Sequence, residues 1–333
     1  MRTLLAALSL ASGLAALPCV ASAACGEISI AEMNWASAGI AAHLDAFILE
    51  KGYGCRVTLV PGDTIPTFTS MTELGQPDLA PELWVNSVRK PLAAALKDGR
   101  LIEGAKILKD GGVEGWWIPK YIADAHPEIR TVQDALAHPD LFPDPADQSH
   151  GAINNCPTGW TCQISTANLF KAVKAQEHGF HLVEAASSAG LEEGIAAAFE
   201  NKVGWLGYYW APAPSLGRFD MVKLSFGTGH DRLEWERCTS VPDCPDPQVN
   251  GYPVSDVYTL ATSAFADKAA ETLGYIKARS WDNTTVNGLL AWMDESKATT
   301  ADAARHVLTT QPDLWTPWVS PEAAEKIKAA LAE

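Results

Sequence analysis

Four tryptophans stand where short apolar runs end: Trp35 in Glu32-Met33-Asn34-Trp35, Trp84 in Glu82-Leu83-Trp84, Trp117 in Glu114-Gly115-Trp116-Trp117 and Trp210 in Gly207-Tyr208-Tyr209-Trp210. They belong to a set of 12 tryptophans in 333 residues. In α/β proteins, ligands bind beyond strand ends. Indole faces gathered there make an apolar, electron-rich box that suits a cation with no N–H to donate, such as a quaternary ammonium. A desolvated cation over one indole gains about 2 kcal/mol, and several faces act together. Any one of these tryptophans alone is better explained as core or rim. The repeated location carries the reading.

Two further features bear on the same ligand. Glu114 stands two residues before the Trp116-Trp117 pair. A carboxylate beside a cationic head adds Coulomb attraction, or accepts a hydrogen bond from a ligand hydroxyl; a structural salt bridge is the competing role. Asn34 and Tyr209 are also within reach. The segment from Asn155 through Cys156, Trp160 and Cys162 precedes a helix expected to open near Ser165. A stapled loop leading into a helix N-terminus offers N–H groups to an anion, with Trp160 as another wall; a stabilised loop without ligand contact is the alternative. Trp281, Trp292, Trp315 and Trp318 fall in or between late helices and read as structural, Trp205 as core, and Trp235 has no assignment.

Signatures of catalysis are missing. The chain has no Gly-x-Ser-x-Gly elbow, no His-Glu-x-x-His and no phosphate-binding Gly-rich loop. His126, His138, His150, His178 and His181 are scattered over polar segments. No catalytic residue, cofactor or metal is expected, and the chain reads as a binder rather than an enzyme.

The elements that must position these residues alternate. A strand at Glu27–Ala31, a helix with Ile40, Leu44, Phe47 and Ile48 on one face, and a strand at Arg56–Val60 make a βαβ unit, which predicts parallel pairing. Short strands follow at Pro77–Leu83, Gly112–Ile118, Gly151–Asn154 and Val203–Tyr209. Helices fall at Pro91–Lys97, Ser165–Gln176 and from a Ser187 or Ser188 cap to about Asn201. Parallel strands point their C-terminal ends at one edge, so Trp35, Trp84, Trp117 and Trp210 are expected to converge on one cleft. After a polar, Pro-rich surface excursion between Gly227 and Gly251, a strand at Val254 leads into helices near Ala264–Ala278, Val286–Glu295, Ala301–Thr310 and Pro321–Leu331. The expected fold is α/β with two lobes and a mainly parallel sheet in each. Lobe 1 is 24–112 plus 254–333, lobe 2 is 113–253, and the ligand cleft lies between them.

Residues 1–23 read as a signal peptide: basic Arg2, an apolar stretch from Leu4 to Ala16, and the small-residue site Ala21-Ser22-Ala23. The apolar run is too short to span a bilayer. Cleavage leaves about 310 residues, enough for two lobes. The formal charge of −15 becomes one unit more negative when Arg2 leaves, which argues against nucleic acid and anionic membranes. Of the 7 cysteines, Cys19 leaves with the leader. Spacing and an oxidising compartment pair the rest as Cys25–Cys55, Cys156–Cys162 and Cys238–Cys244. A lipid anchor on Cys19 or Cys25 is the lesser alternative.

At these residues the chain resembles the substrate-binding proteins of glycine betaine/proline betaine importers. The resemblance rests on Glu32-Met33-Asn34-Trp35, Glu82-Leu83-Trp84-Val85-Asn86, Gly111 to Pro119 and Gly207-Tyr208-Tyr209-Trp210-Ala211-Pro212. It is closest to the branch that takes trimethylamine N-oxide and dimethylsulfoniopropionate, and it covers nearly the whole mature chain outside residues 230–250. It implies a two-lobed, type II-like periplasmic binding fold. Such a protein acts as a monomer that closes on a small methylated onium ligand and docks on an ABC permease with its ATPase. By that analogy Trp35, Trp84, Trp117 and Trp210 are box candidates, with Trp116, Trp160 and Glu114 as flanking contacts. Alternation puts Trp116 and Trp117 on opposite strand faces, so only one of them faces the cleft. Glycine betaine, choline, trimethylamine N-oxide and dimethylsulfoniopropionate all fit. A partner that delivers ligand to a chemoreceptor, and a secreted hydrolase of choline esters, are the other function classes.

Overall fold

The computed structural model describes residues 25–333; the expected leader and Cys19 lie outside the described residues. In chain order its strands are β1 (Glu27–Met33), β2 (Arg56–Gly62), β3 (Leu79–Trp84), β4 (Leu101–Lys106), β5 (Gly112–Pro119), β6 (Gly151–Asn155), β7 (Phe180–Glu184), β8 (Gly207–Ala211), β9 (Met221–Lys223), β10 (Val254–Ser255) and β11 (Val257–Thr262). They form two sheets. The first has the order β2-β1-β3-β11-β4 and the second β10-β5-β8-β6-β7, with β9 also on β5.

The βαβ start is as the periodicity requires. β1 and β2 pair in parallel from Glu27↔Arg56 to Met33↔Gly62. The helix between them, Ala36–Tyr53, ends where Gly54 takes φ 74° and donates its N–H to the Glu50 carbonyl while Cys55 donates to that of Leu49, a left-handed cap that glycine adopts without strain. Cys25 and Cys55 precede the two strands and are bonded across a Cα–Cα distance of 4.5 Å. The pairs Cys156–Cys162 and Cys238–Cys244 are also formed.

Both sheets are mixed rather than mainly parallel. β11 runs antiparallel to β3 and to β4. In the second sheet, β6 is parallel to β7 and β8, while β5 is antiparallel to β8, β9 and β10. Shortness explains the missed elements: β4, β7 and β9 run over six, five and three residues, too few for a period to stand out.

Most of the late helices serve the first sheet, whereas Asn283–Ser296 also packs on Pro214–Arg218 beside the second, with an ion pair from Arg218 to Asp294. Helix Ala36–Tyr53 packs against Thr300–Thr310 and Pro321–Leu331. Gly39 and Gly52 leave room there for Thr300 and Ile327. From helix Leu273–Ala278 and just beyond it, Tyr275 and Arg279 reach the fully buried Asp45: the Arg279–Asp45 ion pair is 2.8 Å long, and the Tyr275 hydroxyl donates to Asp45. Arg279 also donates to the Pro81 carbonyl of β3 and to Thr259 of β11. The return is thus tied to the strand that carries Trp84. Among the described residues, no helix is long and apolar enough to cross a membrane.

Candidate ligand-binding site

Side chains alternate along a strand, so Glu82 and Trp84 share one face of β3. Glu82 is fully buried. Its Oε1 accepts from the indole N–H of Trp35 at 2.7 Å, the indole N–H of Trp84 at 3.2 Å and the Ser37 hydroxyl at 2.9 Å. One carboxylate oxygen therefore fixes two indoles, one from the end of β3 and one from the turn after β1. Burial raises the Glu82 pKa, against the three donors.

From the second sheet come Trp160, Tyr208 and Trp210. Tyr208 and Trp210 share a face of β8 by the same alternation, their rings 6.3 Å apart and 22° from parallel. Trp160 immediately precedes the helix Thr161–Ala172. Its N–H donates to Asn34 at 2.8 Å and Asp63 at 3.1 Å, both in loops of the first sheet. Trp160 stands nearly perpendicular to Trp35 (5.3 Å, 76°) and to Trp210 (5.1 Å, 81°). Three successive rings at right angles make three walls. The Trp84 ring lies against Gly112, where a Cβ would come within 2.0 Å of it, so only glycine fits there.

These indoles line one cavity together with Tyr208, Glu114, Thr64, Thr161 and Cys162; including its mouth the space is about 290 Å³. Glu114 is the direct cross-strand neighbour of Trp210. Its carboxylate accepts from the Tyr208 hydroxyl at 2.9 Å and from the Ser255 hydroxyl. Burial raises its pKa too, the two hydroxyls and the charge of Lys223 acting the other way.

The structure thus brings Trp35, Trp84, Glu114, Trp160 and Trp210 together. Trp116 and Trp117 do not line this cavity. Because β5 runs antiparallel to β8, the step from Glu114 to Trp117 leads away from Trp210: Trp116 sits opposite Tyr208, and Trp117 opposite Gly207. The expectation that every strand points its C-terminal end at one edge fails for β5 for this reason. Trp116 is fully buried, edge-on to Phe226 at 5.1 Å, and Trp117 donates its N–H to the Tyr209 carbonyl at 2.9 Å.

Other placements also differ from the sequence reading. The helix opens at Thr161 rather than near Ser165, which is buried one turn inside; Gly159 at φ 97° turns the chain earlier. Tyr209 is fully buried on the opposite face of β8, its hydroxyl accepting from the Ser215 N–H. Asn34 holds Trp160 instead of facing the cavity. In the excursion, Trp235 is buried edge-on to Tyr252 at 5.3 Å, and Asn168 of the helix donates to the carbonyls of Cys238, Thr239 and Val241. Glu82 and Tyr208 were missed as site residues, although each lies two positions before a box tryptophan, a spacing that could have found them.

The family model described as OpuAC, the substrate binding domain of ABC-type glycine betaine transport systems, matches residues 26–310. A trimethylamine N-oxide-binding protein of Pelagibacter ubique (strain HTCC1062) is 22% identical over 299 residues, 87% of this chain and 90% of that protein. Among solved structures, the glycine betaine/L-proline-binding protein ProX of Borrelia burgdorferi superposes with TM-score 0.69 at 16% identity, covering 90% of this chain and 99% of its own. A choline binding protein of an ABC transporter, in complex with choline, gives TM-score 0.69 at 18% identity, with 92% and 98% covered. The chain belongs to the OpuAC family, the substrate-binding domains of ABC-type glycine betaine transport systems, and thus to solute-binding proteins rather than enzymes.

Proposed function

We propose that the chain is the periplasmic solute-binding component of an importer and takes a small methylated onium compound into the box of Trp35, Trp84, Trp160 and Trp210. The observation that carries this reading is the convergence of four indoles from both sheets on one cavity, with Glu114 beside them. Three of the four N–H groups are spent on Glu82, Asn34 and Asp63, so ring faces are what those walls have left to offer. A trimethylated head donates no hydrogen bond and is selected by shape and π-density. The lobes, residues 24–112 with 254–333 and residues 113–253, close on the ligand as a monomer, and the closed form docks on the permease and its ATPase.

The first two residues of the helix Thr161–Ala172 line the cavity. First-turn N–H groups lack partners within their own helix and favour negative charge. This supports a ligand with a carboxylate or oxide end over choline.

Calorimetric titration of the mature chain with glycine betaine, choline, trimethylamine N-oxide and dimethylsulfoniopropionate tests the reading. One of them should bind tightly, and Trp84→Ala and Trp210→Ala should each weaken it by about 2 kcal/mol. Silence from all four would sink the onium reading.

A further inference from the structure

Far from the box in the chain's order of elements, Asp147, His150 and His181 offer ligand atoms that all lie within 4.8 Å of one another. We propose that this cluster, at the edge of the second sheet, is a binding site for a zinc-class divalent cation.

Two parallel strands create it. β6 and β7 pair with Gly151 opposite Phe180 and Ala152 opposite His181. His150 just before β6 therefore lies beside His181 in β7, and the two imidazoles stack at 4.2 Å and 19°. Their ring nitrogens are thereby brought side by side, and imidazole nitrogen is a common metal ligand.

The surroundings are those of a supported ligand set. Asp144 is buried and accepts from His181 Nδ1 at 2.8 Å. A carboxylate on one ring nitrogen fixes the tautomer and leaves Nε2 as the ligand atom, the arrangement usual behind metal-bound histidines. Asp144 is itself held by the Ala146 N–H at 2.8 Å. Asp147 lies 2.9 Å from His150 Nδ1. Its Oδ1 accepts from the Ser149 N–H at 3.1 Å and the Ser149 hydroxyl at 2.6 Å. Imidazole nitrogens with one carboxylate suit Zn²⁺, and Cu²⁺ or Ni²⁺ by the same donor chemistry, more than Mg²⁺ or Ca²⁺. The three side chains are partly exposed, which leaves an entry path. Bound there, the ion would staple the loop 143–150 to β7.

The test is a calorimetric titration of the mature, tag-free chain with ZnCl₂, with MgCl₂ and CaCl₂ as controls. The expected result is saturable binding of one Zn²⁺ per chain, no Mg²⁺ or Ca²⁺ binding, and a raised Tm with zinc. His150→Ala and His181→Ala should abolish binding, and Asp144→Asn, which keeps an acceptor for the Ala146 N–H, should weaken it about 10-fold or more. Melting curves without metal show whether each variant folds. Absence of zinc binding overturns the proposal. So does zinc binding that survives unchanged in folded His150→Ala and His181→Ala, because the ion then sits elsewhere. The site is independent of the onium box, so it stands or falls apart from that reading.

Discussion

The two halves of the box each rest on a buried carboxylate, but they use it differently. In the first sheet Glu82 stands behind the rings and gathers the N–H groups of Trp35 and Trp84 onto one oxygen. In the second sheet Glu114 stands on the cavity wall, and its partners are the hydroxyls of Tyr208 and Ser255. One carboxylate shapes the walls; the other faces whatever enters. The same residue type at the same two-residue spacing from an aromatic stands behind the rings in one case and on the cavity wall in the other.

Removing Glu82 puts the largest strain on this contrast. Glu82→Ala strips an acceptor from three buried donors, and each unsatisfied buried group costs about 1–3 kcal/mol. Chemical denaturation should show a loss of several kcal/mol, with ligand binding gone as well. Glu82→Gln keeps an acceptor oxygen and should cost far less. If Ala and Gln behave alike, the charge of Glu82 matters more than its geometry.

The disulfides give a second comparison between the halves. Loop-closure entropy makes the Cys25–Cys55 bridge, with a separation of 30, worth about 3.6 kcal/mol, and the Cys156–Cys162 bridge, with a separation of 6, about 2.2 kcal/mol. Replacing Cys25 and Cys55 by alanine should lower the denaturation midpoint more. Replacing Cys156 and Cys162 should hurt binding more, since Cys162 lines the cavity. A reversed order would show that the loop leading to Trp160 is held by other contacts.

Glu114→Gln is expected to cost about 1–2 kcal/mol of onium affinity and little stability. Because burial raises the Glu114 pKa, a cation that needs the ionised form drives off a proton. Affinity should fall as pH drops through the raised value, and the heat of binding should vary with the ionisation enthalpy of the buffer in wild type but not in Glu114→Gln.

The smallest effect is on stability against pH. A carboxyl whose folded-state pKa is raised adds stability below its ordinary value of 4.5 and loses it as pH rises through the folded value. Wild type should lose a few degrees of Tm between about pH 4.5 and neutrality relative to Glu82→Gln. Carboxylates held low, such as Asp134 and Asp302, act in the other direction and only below their ordinary 3.8, so the two windows do not overlap.

Much of this was legible from local rules. Glu27–Ala31, the helix through Ile40, Leu44, Phe47 and Ile48, and Arg56–Val60 follow from apolar period, and Trp35, Trp84 and Trp210 from where apolar runs end; Trp117 meets the same criterion yet lies outside the cavity, whereas Trp160 stands out only as a wall of the stapled loop. What local rules could not supply was strand direction. Trp116 and Trp117 look like box residues in sequence, and only the antiparallel pairing of β5 with β8 turns them away while bringing Glu114 to Trp210. The same limit hid the neighbourhood of His150 and His181, which are separated in sequence and meet through the register of β6 and β7. Glu82 has before Trp84 the same two-residue spacing that Glu114 has before Trp116, but its place behind the rings depends on a burial that spacing alone does not give.

The place of β11 in the first sheet sets an order of events in time. It fills the slot between β3 and β4, yet a contact such as Thr259 to Pro81 spans 178 residues. In N-to-C order the chain has both flanking strands, then all of β5 to β10, before the strand that joins them. Closing so long a loop is slow, and until Val257–Thr262 arrives β3 carries Glu82 and Trp84 along an unpaired edge. The walls of the cavity are thus among the last parts of the molecule to be finished, and a chain cut short before Val257 has no box to offer.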